Sequence, residues 1–213
     1  MTLAIHILPP SPNNTKVGIA LAYKGIEHDV HVINPEDRSA LIELTGQPLT
    51  PVIDHDGHVL FDSGAILRYL DANFPGPKLF SADRDEMRAI DRWGYFHRTA
   101  LSKPLGEAFG LLGADPSDAG YAETLAAARA AFHEAAGEVE AALEGKDWLV
   151  GDSMTAADIE VAAVLVLSAI PAHLADFHPL WGWFGANFEL AEGRDRCRSL
   201  VERVFALLPT PVA

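Results

Sequence analysis

Leu49-Thr50-Pro51-Val52-Ile53-Asp54-His55-Asp56-Gly57-His58-Val59-Leu60-Phe61-Asp62-Ser63-Gly64-Ala65-Ile66-Leu67-Arg68-Tyr69-Leu70 is the stretch whose reading decides the fold. A short apolar run is opened by a proline, turned by Asp56-Gly57, resumed, and closed by an acid-hydroxyl pair at the start of a helix. Proline cannot donate to a strand ladder, so Pro51 belongs at a strand start or edge. A cis bond between Thr50 and Pro51 is expected, because it turns the backbone N–H and C=O of residue 50 outward toward an extended ligand. Asp-Gly is a strong hairpin signal. Asp62-Ser63 sets a carboxylate and a hydroxyl beside the free N–H groups of a helix N-terminus. Together these features suit a small peptide carrying both an amine and a carboxylate.

Outward from this stretch, the first ~80 residues alternate in hydrophobic period between two and 3.6. Strands are expected at 3–8, 28–33, 51–54 and 58–61, and helices near 14–25, 36–44 and 63–73. That order implies a mixed sheet with helices packed on it. Asn73-Phe74-Pro75-Gly76-Pro77-Lys78 is a breaker cluster and the expected boundary, giving domains at 1–76 and 84–213. Beyond it no strand pattern recurs. Leu125, Ala128, Phe132, Ala135, Val139 and Ala142 step by three and four, as one face of a helix does. Ile159 to Ile170 is apolar on nearly every side, which predicts a helix at the centre of a bundle. Thr155-Ala156-Ala157-Asp158 is a capping box in acidic form, flanked by Met154 and Ile159 as a hydrophobic staple. Its role is folding.

Composition narrows the function classes. The 213 residues are 49% hydrophobic and 22% charged, ordinary for a globular protein. No run approaches the ~18–20 apolar residues of a membrane helix, and the start lacks the basic and apolar regions of a signal peptide. A cytoplasmic location is therefore expected. Cys197 is the single cysteine, which rules out an internal disulfide and fits a reducing compartment. A net charge of −14 argues against nucleic acid, whose binding needs phosphate-neutralising Lys and Arg. His55 and His58 flank the Asp-Gly turn, but two exposed imidazoles fall short of a metal ligand set, and no metal is expected.

Thr50-Pro51-Val52-Ile53 with Asp62-Ser63 resembles the glutathione-binding half of the cytosolic glutathione transferases. Ile5-His6-Ile7-Leu8, followed by a loop and helix from Ser11 to Leu21, matches the place where that family carries its thiol-activating residue. Gly151-Asp152-Ser153-Met154-Thr155-Ala156-Ala157-Asp158-Ile159 is similar to a motif of the family's C-terminal core. The resemblance covers nearly the whole chain. It implies a thioredoxin-like α/β domain followed by an all-helical domain, a homodimer, and no cofactor, with glutathione and a small hydrophobic electrophile as substrates.

Site residues follow from the same resemblance. Ser11 is the expected catalytic residue, donating a hydrogen bond to the glutathione thiolate while the helix after it contributes its positive end. Its own hydroxyl is too weakly acidic to act as a base. Asn13 competes with it, because Ser11-Pro12-Asn13 resembles the Thr-Pro-Asn of bacterial Nu-class and related fungal proteins. No tyrosine precedes Tyr23 and no cysteine ends the first strand, so the tyrosine and cysteine versions of the site are missing. Thr50 and Pro51 bind glutathione by backbone; Asp62 and Ser63 take its γ-glutamyl amine and carboxylate. One departure stands out: many relatives carry a basic or amide residue where this chain has Leu49, leaving Gln47 or Lys16 to hold the glycine carboxylate. Two other readings stay open, a glutathione-dependent disulfide or peroxide reductase and a non-catalytic binding protein on the same fold. Trp93, Tyr95, Phe96 and His97 divide between a helix that lines the electrophile pocket and the core, and Trp181, Trp183 and Phe184 are expected in the core.

Overall fold

The computed structural model describes residues 2–175 and 178–208. The chain divides into two compact units, one reaching from the N-terminus to Ser81 and the other running from Ala82 to Ala206. Residues 209–213, assigned above to the helical domain, lie outside the described residues.

In the first unit, strands β1 (Leu3–Ile7), β2 (Asp29–Val32), β3 (Val52–His55) and β4 (His58–Phe61) form one sheet in the order β2-β1-β3-β4. β1 is parallel to β2 and antiparallel to β3, and β3 turns into β4 as the expected hairpin. Helices α1 (Pro12–Lys24), α2 (Ser39–Thr45) and α3 (Ser63–Asn73) complete the unit. Two helix starts differ from the sequence reading. α1 begins at Pro12, whose missing N–H and fixed φ suit a first helical position. α2 begins only at Ser39, because Asn34 and Asp37 spend their side chains on local turns, accepting from Glu36 N and Ser39 N.

α1 and α3 pack against each other, and their buried stripes explain how. On α1 the buried face runs Val17, Ala20, Leu21, Lys24, with exposed Asn13 in line with it at the N-terminal end; on α3 it runs Ser63, Ile66, Leu67, Leu70, Asp71. Both step by three and four, with apolar middles that are fully buried. Each stripe ends in polar groups, and these meet. At the C-terminal ends Lys24 Nζ lies 3.4 Å from Asp71 Oδ1, with the lysine side chain wholly buried. The same carboxylate accepts from the backbone N–H of buried Leu79, and Lys24 also donates to the carbonyl of Pro77. Gly76 sits at φ +104, where an added Cβ would fall 2.8 Å from the Lys24 carbonyl oxygen, so a larger residue does not fit. The breaker cluster is thus bound into the first unit, and the division falls later, at Ser81–Ala82.

Across the sheet, the rings of His6 and His31 stack on the β1–β2 pair, their centroids 5.0 Å apart. His55 and His58 face each other across the hairpin and gather around Tyr69: the His55 Nδ1 to Tyr69 Oη distance is 2.8 Å, and His58 stacks on the same ring. Their role here is packing against α3.

Among the described residues the second unit is helical throughout: α4 (Arg84–Phe96), α5 (Ser102–Phe109), α6 (Tyr121–Ala142), α7 (Ala156–Leu165), α8 (Pro179–Phe188) and α9 (Asp195–Phe205). A wider, π-type turn at His97–Leu101 joins α4 to α5. Every residue of α7 is buried, as its unbroken apolar sequence requires. The helix is shorter than its apolar run, narrowing to a 3₁₀ turn at Val166–Ser168 ahead of Pro171. The capping box at its start is present. Asp158, wholly buried, accepts from Thr155 N, Thr155 Oγ1 and the distant Leu149 N, so one side chain closes the helix end and pins the preceding loop. Burial pushes its carboxyl above the usual range, against the pull of those bonds. Trp181 and Phe184 are buried and Trp183 half-buried, while on α4 Tyr95 is 65% exposed and Trp93 and Phe96 are half-buried. His97 is buried, its Nδ1 3.6 Å from the carboxylate of Glu160 on α7. Cys197 is buried too, and burial together with Glu140 pushes its thiol up to about 12, which makes it inert as a nucleophile.

The Lys24–Asp71 pair generates a stability prediction. Asp71→Ala leaves a buried ammonium without its counter-ion and strands the Leu79 N–H. The expected loss is about 3–5 kcal/mol, read as a lower urea midpoint. Asp71→Asn, which keeps an acceptor for Leu79 N–H, is expected to lose less.

Candidate functional site

The N-terminal ends of α1 and α3 lie together because the two helices are parallel and pinned at their far ends. There Ser63 Oγ donates to Asn13 Oδ1 at 3.4 Å, joining residues fifty positions apart. Asn13 is exposed and Ser63 is 8% exposed, so the link stands at the rim of the buried stripe.

Ser11 occupies the N-cap position of α1 with extended backbone (φ −130, ψ 126), yet its side chain makes no capping hydrogen bond. Its carbonyl oxygen does the anchoring, accepting from both the N–H and the hydroxyl of Thr15. The Ser11 hydroxyl, half-buried at a positive helix end, is left available to a ligand. The loop carrying it is held by Asn14, which is 6% exposed and donates from Nδ2 to the Leu8 carbonyl at 2.7 Å. Sequence reasoning passed over Asn14, since an asparagine in a helix's first turn reads as an ordinary local residue.

Asp62 caps α3, its Oδ1 accepting from Ala65 N at 2.9 Å. Its other carboxylate oxygen makes no hydrogen bond among the described residues. The backbone here is forced: Asp62 holds φ +74, a region in which non-glycine residues are strained. In this conformation the exposed carboxylate sits at the entry to α3, where it meets Ala65 N.

Thr50 precedes β3, whose ladder begins at Val52, so its N–H and C=O lie outside the sheet pairing. The Thr50-Pro51 bond is cis, as the sequence reading expected. The preceding loop is tied by its own side chains. The Gln47 amide accepts from Leu49 N at 2.7 Å and donates to Leu49 O at 3.0 Å, so both its ends are committed. Lys16 is 3% exposed. Neither residue offers a free cation or amide beside Leu49, which itself is 67% exposed. A cation that sequence reasoning missed is nearby: Arg38 donates from Nη1 to the Pro48 carbonyl at 3.0 Å, which brings its guanidinium to the loop just before Leu49 and Thr50. Its distance in sequence and its position ahead of α2 gave no signal of this.

Ser11, Asn13, Asp62 and Ser63 thus occupy two adjoining helix starts, Thr50 stands at the strand start feeding the hairpin, and Arg38 flanks that loop. The arrangement offers hydroxyl donors and helix N–H groups for an anion, a carboxylate for an ammonium, unpaired backbone for a peptide, and a guanidinium for a second carboxylate.

Two family models match the chain: the glutathione S-transferase N-terminal domain over residues 5–78 and the glutathione S-transferase C-terminal domain over residues 122–203. Among curated proteins, glutathione S-transferase D7 of Anopheles gambiae is 28% identical, over 84% of this chain and 81% of its own length. Protein LigF of Sphingobium is 32% identical over 52% of this chain and 47% of its own length. The crystal structure of that Sphingobium β-etherase superposes with a TM-score of 0.75 at 21% identity, covering 97% of this chain and 96% of the other. Ure2p in complex with glutathione superposes with a TM-score of 0.76 at 17% identity, over 96% and 89% of the two chains. At these identities the structural likeness concerns the fold.

The double duty of Asp62 generates the next prediction. Asp62→Ala removes the cap in a backbone region alanine disfavours, and is expected to cost about 1–2 kcal/mol in urea unfolding. Asp62→Asn caps as well and tolerates positive φ, so its expected cost is less than half of that.

Proposed function

The chain belongs to the glutathione S-transferase family, and on that premise we propose that it binds glutathione in the first unit and activates it as a thiolate for attack on a small hydrophobic electrophile. The observation that carries the reading is Ser11: a serine at a helix N-cap whose hydroxyl caps nothing. Glutathione's thiol is mostly neutral at pH 7, as a free cysteine is. A hydroxyl donor and a helix N-terminus both favour the charged form. Proximity to a bound electrophile supplies the rest of the catalysis.

In this reading the tripeptide runs along Thr50 and Pro51 in extended form, pairing with the backbone of residue 50. Asp62 receives the γ-glutamyl ammonium on the oxygen its cap leaves over. Ser63, through its backbone N–H, and the N–H groups that follow it at the start of α3 receive the adjacent carboxylate. Asn13, already bonded to Ser63, reaches the sulfur end beside Ser11. Arg38 takes the glycine carboxylate, the role Leu49 cannot fill. Glutathione itself is the substrate and no cofactor is invoked. The family assignment supports a homodimer and a cytoplasmic enzyme, both part of this reading. Leu49 favours a second reading, a binding protein without catalysis, because an exposed leucine at that position forfeits a polar contact.

The deciding measurement is thiolate absorbance of the protein–glutathione complex against pH. Bound glutathione is expected to be largely ionised at pH 7. Ser11→Ala is expected to raise its thiol pKa by about one unit, and the double change with Asn13→Ala to raise it further. A thiol that titrates in the complex as it does free would exclude activation and leave the binding protein. Turnover with an aryl halide, a hydroperoxide and a mixed disulfide then separates transferase from reductase chemistry.

Affinity tests the placement. By calorimetry, Asp62→Asn and Arg38→Ala are each expected to weaken glutathione binding by about tenfold or more, the scale of one charged hydrogen bond. Turnover at saturation is expected to change less, because these contacts are the same in ground and transition states. Unchanged affinity in Arg38→Ala would remove that residue from the site.

A further inference from the structure

A cavity of about 350 Å³ lies within the second unit, where the turn after α7 meets α8 and α9. Its volume sits at the lower end of the range for small-molecule sites, ~300–1,000 Å³. Its walls include Ser168, Ile170, Pro171, Glu189, Arg198 and Glu202. None of these belongs to the residues assigned to glutathione.

Two donors at this cavity are buried and unmatched. Ser168 is 3% exposed, and its hydroxyl has no hydrogen-bond partner. Arg198 Nη1 is likewise buried without a partner. Its Nη2 donates to the Leu190 carbonyl, which holds the guanidinium in place. Leu190 N in turn donates to the Ser168 carbonyl at 3.0 Å, so one residue braces both donors. Arginine stays charged at every physiological pH, and a buried charged donor without an acceptor is costly. Among the described residues, no carboxylate forms an ion pair with Arg198. The natural complement of a fixed guanidinium edge and a hydroxyl is a carboxylate.

A simple anion does not fit the rest of the cavity. Glu189 and Glu202 also line it, are exposed and so stand at its open side, and make no side-chain hydrogen bonds among the described residues. With one arginine against two glutamates, and −14 on the whole chain, a lone carboxylate is repelled. A ligand that also carries an ammonium is attracted at both ends. Ile170 and Pro171 add apolar wall. We propose that this cavity binds a free amino acid with a short apolar side chain, its carboxylate on Ser168 and Arg198 and its ammonium toward Glu189 and Glu202.

Calorimetric titration of the full chain with L-leucine tests this, against 4-methylpentanoate, which lacks the ammonium, and isopentylamine, which lacks the carboxylate. Leucine is expected to bind at millimolar concentration or below, and each half-ligand at least tenfold more weakly. Ser168→Ala and Arg198→Gln are each expected to weaken leucine binding tenfold or more, with folding checked by circular dichroism. If Arg198→Gln fails to fold, Ser168→Ala still decides, because it removes one oxygen only. Saturating glutathione is expected to leave leucine binding unchanged. The proposal is overturned if leucine gives no heat, if both variants bind it as the parent does, if glutathione displaces it, or if 4-methylpentanoate binds as tightly.

Discussion

The contact on which the rest depends is the buried pair between Lys24 and Asp71. It fastens the C-terminal ends of two helices whose buried middles are aliphatic. Apolar packing is non-directional, and would tolerate a shift of one helix along the other. A charge pair at 3.4 Å whose lysine side chain is wholly buried does not. Fixing the far ends fixes the near ends, and there Asn13 and Ser63 come into hydrogen-bond contact. The site is in this sense a consequence of an ion pair at the opposite end of α1 and α3.

Capping supplies the second layer of positioning, and the two helix starts use it differently. Asp62 caps α3 and keeps an oxygen free; Ser11 stands at a cap position and caps nothing. Both leave polar capacity at a positive helix end, where anions are stabilised. A helix start that satisfied itself fully would have none to offer. In the second unit Asp158 spends its carboxylate on Thr155 and Leu149 and is wholly buried, which is why the same kind of motif there is architectural.

The loop before β3 shows how local satisfaction removes a residue from function. Gln47 is polar and three residues before Thr50, but its amide is closed onto the backbone of Leu49 on both sides. Arg38, ten residues before the carbonyl it bonds, brings a charge to the same loop from outside it. The helical unit makes the converse point. Ser168 and Arg198 drew no attention in the sequence, and they stand out because the fold buries their donors beside a cavity and leaves them unanswered.

What the sequence determined by itself was whatever local chemistry controls. The Asp56-Gly57 turn, the Pro51 strand start, the Asp62-Ser63 helix start and the Thr155–Asp158 box each act within a few residues, and each is found where its residues place it. The periodic stripes of α1, α3 and α6 belong to the same class, since their spacing is a property of the helix alone. Tertiary structure decided everything that depends on distant partners. It bound the Asn73–Lys78 breaker cluster into the first unit through Asp71, brought Asn13 to Ser63, closed Gln47, and carried Arg38 to the loop. Apart from the closing of Gln47, which spans two residues, those outcomes join positions eight to fifty residues apart, and no period or turn rule spans such a gap. They are fixed only when the sheet and the paired helices set the backbone in space, and the side chains then bond to whatever lies within reach.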